Sequence, residues 1–215
     1  MERGILEMKI IFCIPGNNFS NKFLKCWTQL TIELHRRGFE YELLSQYVPN
    51  VYKVRTLLLD GHRKYGQYQS PWQDKKEYDY IMWIDSDIIF EPEDFFGLFK
   101  HKKDIVSGLY LRQPQGGTLN DIPYEYACLK EFDKGLMTTD VNGELIEVFG
   151  NGLGWMLIKK GVFEKTPFPW FGPIITGLDF NGEDVAFQMR ARDVGFKSYV
   201  DTSIVVGHEK GVVLK

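Results

Sequence analysis

The chain has 215 residues, of which 44% are apolar and 26% charged, and its formal net charge is −3. Such a composition supports one packed domain of the larger sort and excludes a disordered chain. It carries no excess of positive charge to neutralise phosphates, which excludes general nucleic-acid binding. Residues 9–14 form a short apolar run that stops at Pro15-Gly16, the pattern of a buried strand running into a loop. Ser20 stands where it can cap a helix reaching about residue 37. Phe23, Trp27, Leu30 and Leu34 recur along that helix at the spacing of a face turned to a sheet, and Gly38 ends it. A second strand is predicted at 40–45, a helix at about 51–59, and a third strand at 80–84. The third strand runs straight into Asp85-Ser86-Asp87. A capped helix at about 91–100 and a strand at 105–109 follow. The alternation predicts an α/β fold with a mostly parallel central sheet and helices on both faces. In such sheets ligands bind at the carboxyl ends of the strands, where Pro15 to Asn18 and Asp85 to Asp87 both lie.

The second half is less regular. Residues 116–139 read as a long β excursion with a hairpin. Strands are predicted at 145–149 and 155–158, around the turn Gly150-Asn151-Gly152-Leu153-Gly154. Residues 168–182, rich in proline, glycine and aromatics, read as a mobile loop. A helix is predicted from about Glu183 to before Gly195, then short strands at 197–200 and 204–206 that lead to His208. The three cysteines, Cys13, Cys26 and Cys128, show no zinc spacing and read as reduced, partly buried thiols. With no secretory leader and no membrane-length apolar run, the expected location is cytoplasmic.

Three clusters carry candidate chemistry. Asp85 and Asp87 stand one residue apart at the end of an apolar strand. Burying two unpaired carboxylates is costly, and a hard divalent cation relieves that cost. A strand ending in a solvated acidic turn explains the same triplet without a metal. In Gly182-Glu183-Asp184 the acids suit a helix start through the dipole alone. They also suit a base that takes the proton of an attacking hydroxyl. His208 is a lone histidine after a strand, as fit for a structural role as for a metal. Arg55, in the helix before the acidic strand, is either an exposed helix residue or a contact to a phosphate or a base. Trp170 is either a stacking face for a sugar or a local hydrophobic anchor. No Walker A, G-x-S-x-G or dinucleotide fingerprint is present.

Taken in order, these residues resemble the GT-A (Rossmann-like) fold of nucleotide-sugar glycosyltransferases, including the broad family 2 type. The resemblance runs from the strand ending at Ile14-Pro15, through Asp85-Ser86-Asp87, the turn before Trp155 and Gly182-Glu183-Asp184, to His208. It implies a single catalytic domain over residues 1–215, with a nucleotide-binding half at about 1–110 and an acceptor-side half at about 111–215. It implies that Asp87 is the direct ligand of Mn2+ or Mg2+, with Asp85 on the ribose or a metal-bound water and His208 as a late ligand. It implies that Pro15 and its neighbours, Asn17 among them, line the nucleotide base; Ser86, Arg55 and Trp170 are further candidates for the donor site. Asp184 resembles the acid near the acceptor hydroxyl, and Glu183 its neighbour. The expected activity is hexosyl transfer from a UDP-sugar, or second a GDP-sugar, to a carbohydrate or other hydroxyl acceptor. Two alternatives remain open at this point: a sugar-nucleotide nucleotidyltransferase and a non-catalytic sugar- or nucleotide-binding module. The Q-x-x-R-W motif of processive synthases is missing.

Overall fold

The structure is a computed structural model that describes residues 8–112, 125–131, 142–177 and 179–210. Its strands are β1 (Lys9–Pro15), β2 (Glu40–Gln46), β3 (Tyr80–Ile84), β4 (Ile88–Ile89), β5 (Ile105–Leu109), β6 (Leu111–Arg112), β7 (Glu125–Tyr126) and β8 (Cys128–Leu129). They continue with β9 (Leu145–Val148), β10 (Gly150–Asn151), β11 (Trp155–Lys159), β12 (Ile174–Thr176), β13 (Asp179–Asn181), β14 (Ser198–Val205) and β15 (Gly207–His208). The α-helices are α1 (Asn21–Arg36), α2 (Val51–Leu58), α3 (Pro92–Lys100), α4 (Val162–Lys165) and α5 (Glu183–Asp193).

Seven strands form the central sheet in the order β2-β1-β3-β11-β5-β14-β9. β2, β1, β3, β5 and β14 run one way, whereas β11 and β9 oppose their neighbours. β11 therefore enters the middle of the sheet from the second half of the chain and fastens the two halves together.

Alternation along β1 shows how the core divides. Ile10, Phe12 and Ile14 pack with Phe23, Leu30 and Leu34 of α1 and with Phe95 of α3. Ile11 and Cys13 point the other way, toward Val54 and Leu58 of α2 and Phe187 of α5. The period of two thus gives the sheet two buried faces, and each fully buried large aliphatic or aromatic side chain is worth about 1.5–3 kcal/mol. Local signals set the helix ends. Ser20 Oγ accepts from the Phe23 amide at 3.1 Å, and Gly38 takes a positive φ of 77° just beyond α1. Asn50 Oδ1 accepts from the Lys53 amide at 2.9 Å and opens α2. All three cysteines are buried and free.

Two expectations need correction. Residues 168–182 are not one loose loop. Trp170 and Phe171 are fully buried, and β12 and β13 pair as a hairpin from Ile174↔Asn181 to Thr176↔Asp179. The two strands predicted at 197–200 and 204–206 are one strand, β14, with a shift in register between Val200 and Val205. The polar side chains of Asp201, Thr202 and Ser203, which separate the two predicted strands, are satisfied inside the one strand. Asp201 Oδ1 accepts from the Ser203 amide at 2.9 Å, and Thr202 Oγ1 donates to the Glu144 carbonyl at 2.9 Å. The predicted excursion at 116–139 lies mostly outside the described residues; β7 and β8 are the parts of it on view. Among the described residues no helix is long and apolar enough to cross a membrane.

Candidate active site

All five residues of β3 are buried, so the strand delivers Asp85, Ser86 and Asp87 at its carboxyl end as the chain leaves the core. The Asp85 amide donates to the Gly154 carbonyl at 3.0 Å, and the Ile88 amide returns to the Asp85 carbonyl at 3.1 Å. The triplet is therefore a tight turn, pinned on one side by the Gly-rich segment. On the other side stands the loop after β1. A Cβ on Gly16 would sit 2.6 Å from Ser86 Cβ, so only glycine lets that loop close on the acidic turn. Between them lies a crevice of about 270 Å3, lined by Pro15, Asn17, Tyr47, Ser86 and both aspartates.

A two-residue ladder brings His208 to this place. β15 pairs with β4, with His208 opposite Ile88, and the Glu209 amide donates to the Asp87 carbonyl at 2.7 Å. His208 Nε2 then lies 3.2 Å from Asp87 Oδ2. Its Nδ1 lies 2.6 Å from the carbonyl oxygen of Leu111. A carbonyl only accepts, which assigns the proton to Nδ1. With Nδ1 so committed, Nε2 is the ring nitrogen that faces the Asp87 carboxylate. That arrangement is satisfied by a second ring proton or by a cation between the two groups. The same tautomer, held by a backbone carbonyl, is what a metal-bound histidine requires. The Lys210 ammonium already sits 2.7 Å from Asp87 Oδ2, so this oxygen faces a cation-attracting position. Burial pushes the Asp87 carboxyl up, but hydrogen bonds from His208 and Lys210 outweigh it and hold the group at about 2.

Asp85 is not part of that pair. Arg55 Nη2 donates to Asp85 Oδ1 at 2.9 Å, and Arg55 Nε lies 3.4 Å from Glu183 Oε1. Among the described residues no three His, Cys, Asp or Glu side chains converge as a metal cluster; Asp87 and His208 meet, and Asp85 is paired with Arg55 instead. Arg55 is 2% exposed and its guanidinium lies 5.2 Å from the centre of the Trp83 ring, so it is not an exposed helix residue. Trp170 is fully buried, and its Nε1 donates to the carbonyls of Phe163 and Thr166. Its rings pack against Phe163 and Phe168, and it presents no face to a sugar.

Asp184 stands at the first turn of α5 and faces a second cavity, of about 520 Å3, with Tyr110, Arg112, Phe180 and Asn181. The helix start is fixed by a buried amide pair. The Gln188 side chain donates to the Asn151 carbonyl at 2.5 Å and accepts from the Asn151 amide at 3.1 Å. Gln188 also donates to the Asp184 carbonyl at 2.9 Å. Burial, and then the Glu183 charge beside it, push the Asp184 carboxyl up to about 6. A carboxylate in that range is matched to taking up a proton near neutral pH.

Tyr110 was not among the residues singled out in the sequence. It accepts from the Gly154 amide at 3.1 Å, and its ring meets that of His208 edge-on at 5.2 Å. A Cβ on Gly152 would fall 1.9 Å from Tyr110 Oη. Gly152 and Gly154 thus make room for the tyrosine, which lines the cavity that holds Asp184. Lys210 and Phe180 were also missed.

No protein-family model and no curated protein sequence matches this chain. Solved structures do. The A197 protein from STIV is 20% identical, with 97% of each chain covered and a TM-score of 0.57. A Drosophila β-1,4-galactosyltransferase 7 mutant, in complex with manganese, UDP-Gal and xylobiose, is 14% identical over 95% of this chain and 71% of that one, with a TM-score of 0.52. At these identities the likeness concerns the path of the backbone. The sheet order, the acidic turn at the end of β3 and these two likenesses agree: the chain has a GT-A-like fold, the fold of nucleotide-sugar glycosyltransferases.

Proposed function

We propose that this chain is a metal-dependent glycosyltransferase that takes a hexosyl group from a nucleoside diphosphate sugar and moves it to a hydroxyl acceptor. The observation that carries this reading is the pairing of Asp87 with a histidine whose Nδ1 proton is committed to the Leu111 carbonyl. One carboxylate oxygen and one imidazole nitrogen, 3.2 Å apart, form a donor set suited to manganese, with magnesium as the second choice. Asp87 and His208 would hold that ion. When bound it supplies positive charge against the diphosphate as the glycosidic bond breaks.

The other roles belong to the chain's own residues. The crevice beside Pro15, Asn17 and Ser86 is a cleft at strand ends of the kind that takes a nucleotide. As the acceptor oxygen bonds to the anomeric carbon and the carbon–diphosphate bond breaks, the acceptor proton needs a base. In an inverting reaction Asp184 takes it. The aromatic and amide groups of Phe180 and Asn181 line the same cavity as Asp184 and suit a carbohydrate acceptor. A nucleotidyltransferase would need a basic loop after β1 for a triphosphate. Residues 16–20, the loop after β1, hold no lysine or arginine, and Lys22 in the first turn of α1 is paired to Glu209 at 3.2 Å.

A UDP-sugar is the first choice of donor and a GDP-sugar the second, by analogy with the galactosyltransferase that carries UDP-Gal in this fold. Calorimetry with UDP and with GDP, each with and without manganese, tests the donor and the metal together. UDP is expected to bind more tightly, and only with the metal. Tighter binding of GDP would overturn the choice of donor, and equal binding without metal would overturn the metal.

A further inference from the structure

The acids of the site sit on two separate pieces of the fold. Asp85 leaves β3, while Glu183 and Asp184 open α5. One side chain joins them. Arg55 of α2 reaches Asp85 across 30 residues of sequence and Glu183 across 128. Its side chain is 2% exposed, against 31% for Asp85 and 13% for Glu183. The charge is thus buried behind the two carboxylates and away from the crevice. Among the described residues its Nη1 finds no hydrogen-bond partner. A buried donor left unpaired is a standing cost. Two contacts from one planar fork set the direction of both carboxylates, which a lysine ammonium cannot reproduce.

We propose that Arg55 is a positioning residue that locks the donor-side acid Asp85 to the acceptor-side helix start at Glu183-Asp184, so that the two half-sites keep one fixed relation. This rests on the glycosyltransferase reading for its meaning but not for its geometry. Asp184 touches no part of the Arg55 fork, but it feels its charge. The ionisable groups around Asp184 are Glu183 beside it, Arg55 and Tyr52 from α2, and Tyr110 beyond β5. Glu183 raises the proton affinity of Asp184 and Arg55 lowers it. Removing one or the other therefore moves Asp184 in opposite directions, which a purely mechanical brace would not do.

The test uses the full chain with Arg55→Lys, Arg55→Met and Glu183→Gln. Three quantities are read: UDP affinity with manganese, kcat for transfer, and the titration of the Asp184 carboxyl by 13C NMR. Arg55→Lys keeps the charge, so Asp184 is expected to titrate near its wild-type midpoint while kcat falls roughly tenfold or more from misplacement. Arg55→Met is expected to move the midpoint up and Glu183→Gln to move it down. If Arg55→Met does not fold, the other two variants decide. Wild-type kcat and UDP affinity in Arg55→Lys, or an unmoved Asp184 midpoint in Glu183→Gln, would overturn the proposal. If the wild-type chain transfers no sugar, the glycosyltransferase reading fails separately, and the Asp184 midpoints still judge Arg55.

Discussion

Asp87→Ala is expected to abolish metal-dependent UDP binding, measured by calorimetry with manganese. The carboxylate supplies the only oxygen in the Asp87–His208 pair, and its Oδ2 already faces Lys210 and His208. His208→Ala is expected to weaken binding without abolishing it, because the Leu111 carbonyl then loses its partner but Asp87 remains. Asp85→Ala should fall between these or match Asp87→Ala, for a different reason. It removes one of the two carboxylates that hold Arg55, so it should also cost up to about 3 kcal/mol of stability. Asp87→Ala and His208→Ala, at partly exposed positions, should melt close to wild type. Asp85→Ala melting at the wild-type temperature would contradict the buried pairing.

Asp184→Asn is expected to preserve UDP binding and to lower transfer roughly a hundredfold or more, the usual scale for losing a general base. A second signature follows from its titration. A carboxyl raised from 3.8 to about 6 binds its proton more tightly in the folded chain than in the unfolded one. Ionising it works against folding, so stability falls as pH rises through that interval. Asparagine removes this penalty and can still accept the Val185 amide now bound to Asp184 Oδ1 at 2.7 Å. The variant should therefore be more stable than wild type above pH 7, by ~3 kcal/mol, and equal to it well below pH 4. Denaturant titrations at the two pH values check this. A wild-type transfer rate would reduce Asp184 to a helix-start residue.

The sheet was legible where the sequence repeats a simple pattern. Residues 80–84 are apolar without a break, and β3 has those bounds. The period of two in β1 and the period near 3.6 in α1 place their side chains correctly. What stayed hidden depends on partners distant in sequence. Arg55 sits on a helix face that reads as exposed, and only Asp85 and Glu183 make its burial tolerable. Trp170 follows Pro169 in a stretch with the composition of a loop, yet it fills the space between Phe163 and Phe168. The ladder that carries His208 to Asp87 is two residues long on each side, too short to leave a periodic trace. The resemblance to the GT-A fold placed His208 in the same crevice, whereas its spacing alone said nothing. Tyr110 could have been suspected only from the glycines at 152 and 154, which make room for its hydroxyl.

The most direct test of the central claim is turnover of a panel of nucleotide sugars with manganese and a set of carbohydrate acceptors, read as released nucleoside diphosphate. The account predicts release from a UDP-sugar that depends on both metal and acceptor, is lost in Asp87→Ala, and falls at least a hundredfold in Asp184→Asn. Release of pyrophosphate from a nucleoside triphosphate and a sugar phosphate, or full turnover by Asp87→Ala, would contradict it.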